Sequence, residues 1–270
     1  MCRVLEVSRS GYYDWFERPQ SKRGSENLRL VTKIREIYEK SRGSYGSRRV
    51  YRKLAADGDH CGKNRIARLM KVNSISSKRK RKFKATTNSR HSFPVAPNLL
   101  KRNFDVGSPN SVWVSDITYI PTDEGWLYLS TVMDLFSRKI VGWSMDSQMT
   151  RKLAMDALIM AVDGRRPGAG LIHHSDRGSQ YASNDYQELL KKHSMCCSMS
   201  TKGDCWDNAV MESFYCSLKT ELVHQKRYKN RDTARKEIFE YIEVFYNRQR
   251  LHSSLDYNTP TGYEAVVQAA

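Results

Sequence analysis

Hydrophobic positions in the first third of the chain recur at helical spacing. Leu30, Ile34, Ile37 and Tyr38 fall three to four residues apart between Ser25 and Lys40 and predict one helix. "SYGSRRVYRKLAADG" predicts a second that stops near Gly58, and "GKNRIARLMKVNSI" a third with Ile66, Leu69 and Met70 on one face. Ahead of them, residues 1–20 read as the tail of a helical element ending at Pro19. From about Ser111 the texture changes. "SVWVSDITYIP", "WLYLSTVMDLFSR" and "KIVGWSMDS" are β-rich runs joined by short turns, with "PTDEG" as the first hairpin signal. A helix over 151–163, a strand at "GLIHHS", a helix at "SNDYQELLKKHS" with Ser183 as N-cap, and a strand at "MCCSMS" follow. Two further helices are predicted at roughly 205–224 and 232–248.

Three meandering strands, then helix, strand, helix, strand, helix, make a mixed five-stranded sheet covered by helices. That order matches the ribonuclease H-like fold. The fold class is therefore α/β: a ribonuclease H-like core with a C-terminal helical tail at 108–270. It is preceded by a small, basic, all-α, helix-turn-helix-like domain at 1–75. Between them, residues 76–107 show little periodicity, two prolines in "FPVAP" and a dense charge run, and read as a basic linker.

Charge sharpens this division. The net charge is +17, and residues 1–107 hold 27 Lys and Arg against 9 Asp and Glu, whereas residues 108–270 hold 19 against 20. A strongly basic half joined to a nearly neutral half implies a polyanion-binding module attached to a domain with another task. Arg48, Arg49 and Arg65 are the candidate DNA contacts of the helical module, and Lys63, Arg68 and Lys71 share the third helix with Arg65. Five consecutive cations, Lys78, Arg79, Lys80, Arg81 and Lys82, repel one another unless phosphates neutralise them, so non-specific phosphate contact is expected there. A solvated linker is the bland alternative. No run approaches the length needed to span a bilayer, and the N-terminus has no signal-peptide core, so a membrane partner is not expected. None of the six cysteines forms a C-x-x-C pair, which argues against a zinc knuckle. Cys196 and Cys197 read as reduced strand residues.

Three acids then stand out. Asp116 interrupts an apolar and aromatic strand, Asp176 sits just past the fourth strand, and Glu212 lies in the helix "WDNAVMESFYCSLKTEL". Burying a lone carboxylate is costly unless it is paired or binds a metal. In the proposed fold the first and fourth strands are neighbours and the helix packs across their ends, so the three acids converge. Divalent cations with hard-oxygen preference relieve such repulsion, and two of them can activate an attacking oxygen and stabilise a leaving oxygen on phosphorus. His173 and His174 are expected to support Asp176 as strand-end residues. Along the helix, Asn208, Glu212, Tyr215 and Lys219 form one stripe, and Val210, Phe214, Leu218 and Leu222 a second, apolar one. The first stripe suits a metal ligand followed by phosphate contacts; an ordinary amphipathic surface is the alternative.

The stretches "WVSDITYI", "STVMDLFSRKIVGW", "HHSDRGSQYAS", "KGDCWDNAVMESFYCSLKTEL" and "YNRQRLHSSLDYNTPTGYE" resemble the insertion-element transposases of the DDE superfamily, relatives of retroviral integrases. More narrowly, they resemble the second-reading-frame product of the family whose transposase is a two-frame fusion. Thirty-five residues separate Asp176 from Glu212, the spacing that names the motif in that family. One departure is Asp256, where a glycine is more usual. The resemblance implies Asp116, Asp176 and Glu212 as catalytic metal ligands and Lys219 as a DNA contact; Asn208, on the same helix stripe, is a further candidate DNA contact. It also implies two Mg²⁺ ions with Mn²⁺ as a substitute. The expected partners are DNA (terminal inverted repeats and target), further copies of the chain in a synaptic complex, and a first-frame partner or fusion. The expected place is the bacterial cytoplasm, at the nucleoid. The rivals are a nuclease or resolvase of the same fold that only hydrolyses, and a domesticated DNA-binding protein without catalysis.

Overall fold

The computed structural model describes residues 2–78, 93–201 and 205–268. The chain divides into two compact units, Met1–Ser77 and Lys78–Ala270. In the first unit, α1 spans Arg9–Glu17, α2 Lys22–Lys40, α3 Ser47–Ala56 and α4 Lys63–Val72. Ser8 and Ser21 cap α1 and α2 by accepting from the N–H of Gly11 and Gly24. The predicted apolar faces form the core of this unit. Leu30, Ile34 and Ile37 of α2 meet Val50 and Leu54 of α3 and Ile66, Leu69 and Met70 of α4. The turn between α3 and α4 is held by buried Asp59, which pairs with Arg29 at 3.0 Å and Lys33 at 2.5 Å. Helix α1 buries no residue.

The second unit is built on a five-stranded sheet of order β3-β2-β1-β4-β5. The strands are β1 Val112–Thr122, β2 Gly125–Asp134, β3 Ile140–Asp146, β4 Ile172–Ser175 and β5 Cys196–Met199. The β1–β2 and β2–β3 pairs are antiparallel, and β1–β4 and β4–β5 are parallel. Alternation along β1 sends its side chains to two cores. Val112, Val114 and Ile120 join Met211, Phe214, Leu218 and Leu222 of the helix α8 (Ala209–Glu221) region on one face. Trp113 joins Ala157, Leu158 and Ala161 of α5 (Arg151–Arg165) on the other. That second face also takes α6 (Ser179–Ala182) and α7 (Asn184–Lys192). Glycine is required at Gly142 of β3, because a Cβ there would lie 2.2 Å from the Ala157 carbonyl oxygen. Helix α9 (Arg231–Glu240) continues as a π-helical turn over Tyr241–Tyr246, and α10 spans Pro260–Gln268.

The predicted elements are present, with four corrections. Residues 97–107 are no linker. Leu100 is buried in the α8-side core, Phe104 and Val106 pack on that core, and Met199 N–H bonds the Pro97 carbonyl. Sparse apolar anchors on irregular backbone leave no period to read. Ser183 does occupy the N-cap of α7, but its hydroxyl donates to the Gln180 carbonyl and accepts no N–H of the helix. The short α6 and the terminal α10 were not foreseen. Asp256 takes a left-handed conformation, φ 48°, which a glycine would adopt without strain; aspartate is among the residues that tolerate it best.

Candidate active site

Strand register brings the acids together. Val112 pairs with Ile172, Trp113 with His173 and Val114 with His174. Continuing this parallel ladder by two places sets Asp116 beside Asp176, just where β4 ends. Around that point the backbone is fixed by side chains. Ile117 N–H bonds Asp116 Oδ1 at 2.8 Å, and Gly178 N–H bonds Asp176 Oδ1 at 2.9 Å. Tyr215, in the middle of α8, donates to the Asp116 carbonyl at 2.5 Å and shares a 2.8 Å hydrogen bond with Thr131. Asn208, at the start of α8, donates to the Ser115 carbonyl at 3.2 Å. Two contacts one strand residue apart thus dock α8 against β1. Glu212, in the first turn of α8, is exposed.

Electrostatics tie the three acids into one group. Burial raises the Asp116 carboxyl well above its ordinary range; the Asp176 carboxylate adds to this and Glu212 pushes it further, while the Ile117 N–H and the Lys219 ammonium oppose. Burial also raises Glu212. Lys219 is lowered by burial and partly held up by Asp116. Among the described residues, no three His, Cys, Asp or Glu side chains are gathered closely enough to hold an ion as they stand. Asp176 acts on Asp116 more strongly than Glu212 does. The residues nevertheless suit a hard cation. The donors are oxygens with excess negative charge, and the buried Asn208 Oδ1 nearby has no hydrogen-bond partner.

Other expected site residues fall as follows. His173 and His174 do not touch Asp176; they tie the strands beneath it. His173 Nε2 bonds Ser115 at 2.8 Å and Tyr186 at 3.1 Å, and His174 bonds Ser198 and Ser200. Burial lowers them to about 3 and about 4, so both are neutral. Tyr215 and Lys219 are buried rather than on an open polar stripe, whereas Phe214, Leu218 and Leu222 are buried as predicted. Lys219 lies with its ammonium 4.7 Å from the Tyr119 ring centroid. Glu221, two residues further along, is held by Arg250, with contacts down to 2.7 Å, and by Tyr241. Lys78 donates to the Glu221 carbonyl at 3.0 Å, near the α8 C-terminus, where a cation is favoured. Arg79, Lys80, Arg81 and Lys82 lie outside the described residues. In the first unit Arg48 is exposed, Arg49 lies 5.7 Å from the Tyr45 ring centroid, and Arg65 is pointed inward, bonded to Glu26 at 2.8 Å and Asn27 at 2.9 Å. Sequence reasoning missed Asp207. It is buried, takes bonds from Thr201 N–H, Asn98 and Arg102, and fixes the turn that leads into α8. An acid at a helix start was the available signal.

Comparison with known proteins gives this arrangement its class. The Integrase core domain family matches residues 107–205 and again 212–267, and the HTH-like domain family matches residues 25–83. A simian T-cell lymphotropic virus intasome structure shares the fold, with TM-score 0.51 at 16% identity over 79% of this chain and 70% of that one. The second unit is thus a ribonuclease H-like, integrase-type core. The insertion element IS600 31 kDa protein of Shigella sonnei is 49% identical over 97% of each chain. The transposase InsF of insertion sequence IS3A from Escherichia coli K12 is 42% identical over 98% of this chain and 92% of its own length. The chain belongs to this family of insertion-element transposases, which are polynucleotidyl transferases of the DDE superfamily. Among the described residues, no helix is long and apolar enough to cross a membrane.

Proposed function

We propose that Asp116, Asp176 and Glu212 are the reacting centre of a DNA strand cleavage and joining enzyme. The observation that supports this most is the convergence of elements: Asp116 and Asp176 lie at the end of the parallel β1–β4 ladder, and α8, which carries Glu212, is bonded to β1 at the Ser115 and Asp116 carbonyls. The three carboxylates would hold two Mg²⁺ ions, for which Mn²⁺ can substitute. Bound there, the ions supply Lewis-acid activation of the attacking oxygen and charge stabilisation of the leaving one. The chain's own residues set the geometry. Tyr215 and Asn208 dock α8 on β1 and so place Glu212 opposite the two aspartates. Lys219 offsets negative charge beside Asp116 and is suited to hold a phosphate oxygen of the DNA end.

The reaction is read as two in-line displacements at one site. Water frees a 3′-hydroxyl at the element's end, and that hydroxyl then attacks a second phosphodiester. The partners are the terminal inverted repeats and target DNA, with further copies of the chain in a synaptic complex and a first-frame partner or fusion. The place is the cytoplasm, at the nucleoid. Arg48, Arg49, the exposed face of α4 and the run Lys78–Lys82 supply phosphate contacts. Arg65 serves the fold of the helical unit first, because Glu26 and Asn27 engage it.

Labelled element ends incubated with the parent and with Asp116→Asn, Asp176→Asn and Glu212→Gln test the reading. Loss of both cleavage and joining is expected in each variant, with DNA binding kept. A parent that cleaves without joining would favour the nuclease rival. A parent that binds ends but does neither with any divalent ion would favour the domesticated binder.

A further inference from the structure

Beyond Val114 the ladder between β1 and β4 stops, and β1 continues past Asp116 into a long hairpin with β2. That hairpin carries an aromatic pair that the reaction as described does not use. Tyr119 and Trp126 are diagonal neighbours across the β1–β2 ladder, packed edge to face with centroids 4.9 Å apart. The Lys219 ammonium lies over the Tyr119 ring and also acts on Asp116. Lys219 is thus shared between the electrostatic reach of Asp116 and the Tyr119 ring, and that ring packs on Trp126. Tyr119 lies about 10 Å along the strand from Asp116, and Trp126, opposite Pro121, about 17 Å.

Trp126 is 48% exposed, yet the hairpin presenting it is clamped. Arg231 donates to the carbonyls of Glu124 at 2.6 Å and Trp126 at 3.1 Å, and Asp123 N–H bonds the Tyr228 carbonyl at 2.9 Å. Arg227 holds the Asp123 carboxylate, and the turn closes through Gly125 at φ 102°. A fixed, exposed indole loses little freedom when a ligand lands on it. An aromatic surface combined with a cation, on the same strand as the acids and within a few nucleotides' reach of them, has the chemistry of a base-stacking platform. Such platforms accept any base, because every base has a π-face. In a closed duplex those faces are covered, so the ledge can act only on a base that has left the stack.

We propose that Tyr119 and Trp126 form a stacking ledge for an unpaired nucleobase of the DNA end, two or so nucleotides along the strand from the phosphate at the acids. The proposal rests on the reading of Asp116, Asp176 and Glu212 as the reacting centre. It adds that the end is opened when it binds, and that stacking on the ledge offsets part of the unpairing cost.

The full-length protein is tested with two element-end duplexes, one blunt and one with unpaired terminal bases, each carrying 2-aminopurine near the end. Fluorescence of the probe reads stacking, and anisotropy reads affinity. The parent is expected to prefer the unpaired end and to change the probe's emission. Trp126→Ala should bind the unpaired end about tenfold more weakly, keep the parent's affinity for the blunt duplex and lose the probe response. Trp126→Phe should retain most of both. Asp116→Asn should keep the probe response while failing to join ends, so ledge and reacting centre are read independently; an Asp116→Asn variant that joins normally sinks the acid reading alone. Trp126→Ala that keeps the preference for unpaired ends and the probe response overturns the ledge. So does a Trp126→Ala variant that loses self-association in light scattering with its DNA response intact, since the indole then packs on a second copy.

Discussion

Two groups of carboxylates lie near one another on the same central strands and are treated in opposite ways. Asp134 faces Trp113 across the β1–β2 ladder, and Glu264 reaches it from α10. Arg165 bonds Glu264 through both terminal nitrogens, at 2.9 and 2.8 Å, and approaches Asp134 at 3.4 Å. Lys139, Ser137 and the Asn110 N–H complete that set. Two acids there meet two cations; the Glu264 carboxyl stays below its ordinary range despite burial, and burial raises Asp134 against the pull of the Asn110 N–H and Arg165. Three residues along β1, Asp116 is pushed well up by burial, Asp176 and Glu212, with the Ile117 N–H and Lys219 opposing. The first group is closed and finished within the chain. The second offers carboxyl oxygens suited to an external cation, and on the function proposed above that difference separates a structural cluster from a reacting one.

Exchanging the treatments of the two groups gives the largest expected effects. Asp116→Asn should lower strand cleavage and joining by roughly a thousandfold or more, because a two-metal site works as a unit. Its stability should not fall. A carboxyl raised in the folded state contributes less stability as pH rises above its unfolded value, so removing its charge should hold or raise the melting temperature of the metal-free protein at pH 8. Arg165→Met should do the reverse. It leaves Asp134 and Glu264 buried without their main partner, so stability should drop by about 3–5 kcal/mol in urea melts. Activity per folded molecule should stay at the parent's level. If Arg165→Met abolished activity at full stability, the contrast between the two groups would collapse.

Acid titration sharpens the account of the scaffold. His173 and His174 are lowered to about 3 and about 4, so the unfolded chain takes up protons below about pH 6.5 while the folded chain does not. Their stabilisation is present above that pH and is lost as pH falls toward 4, by up to about 1.4 kcal/mol per pH unit for each histidine. Denaturant melts between pH 7 and 4.5 should show this slope, and His174→Gln should flatten it. An unchanged slope would mean that other groups carry the acid sensitivity. The smallest effect is expected at Lys219. Lys219→Ala should slow joining about tenfold at subsaturating DNA, and Lys219→Arg should keep part of the rate. Joining at the parent's rate in Lys219→Ala would leave the lysine a purely internal counter-charge.

Much of this was legible in the chain because it rests on periodicity. The alternation around Asp116 marked a strand with one misplaced acid, and the helical spacing of Phe214, Leu218 and Leu222 located α8 and its buried face. The separation of the acids followed from the family spacing. What periodicity does not encode was missed. The 97–107 segment is held by a few apolar anchors and by side-chain bonds to Asp207, which leave no pattern in sequence. The burial of Lys219 depends on Tyr119, exactly 100 residues earlier, and the inward turn of Arg65 depends on Glu26. Such long-range side-chain partners decide whether a cation faces a phosphate or the protein, and a basic residue looks the same in either role.

Binding of Mn²⁺ tests the central claim most directly. Electron paramagnetic resonance reads free Mn²⁺ during a titration of the parent and of Asp116→Asn and Asp176→Asn, each with end DNA bound. The account predicts uptake of two ions per active site by the parent and loss of that uptake in both variants, with their DNA affinity intact. Equal uptake in parent and variants would contradict it, because the ions would then be held somewhere other than the three acids.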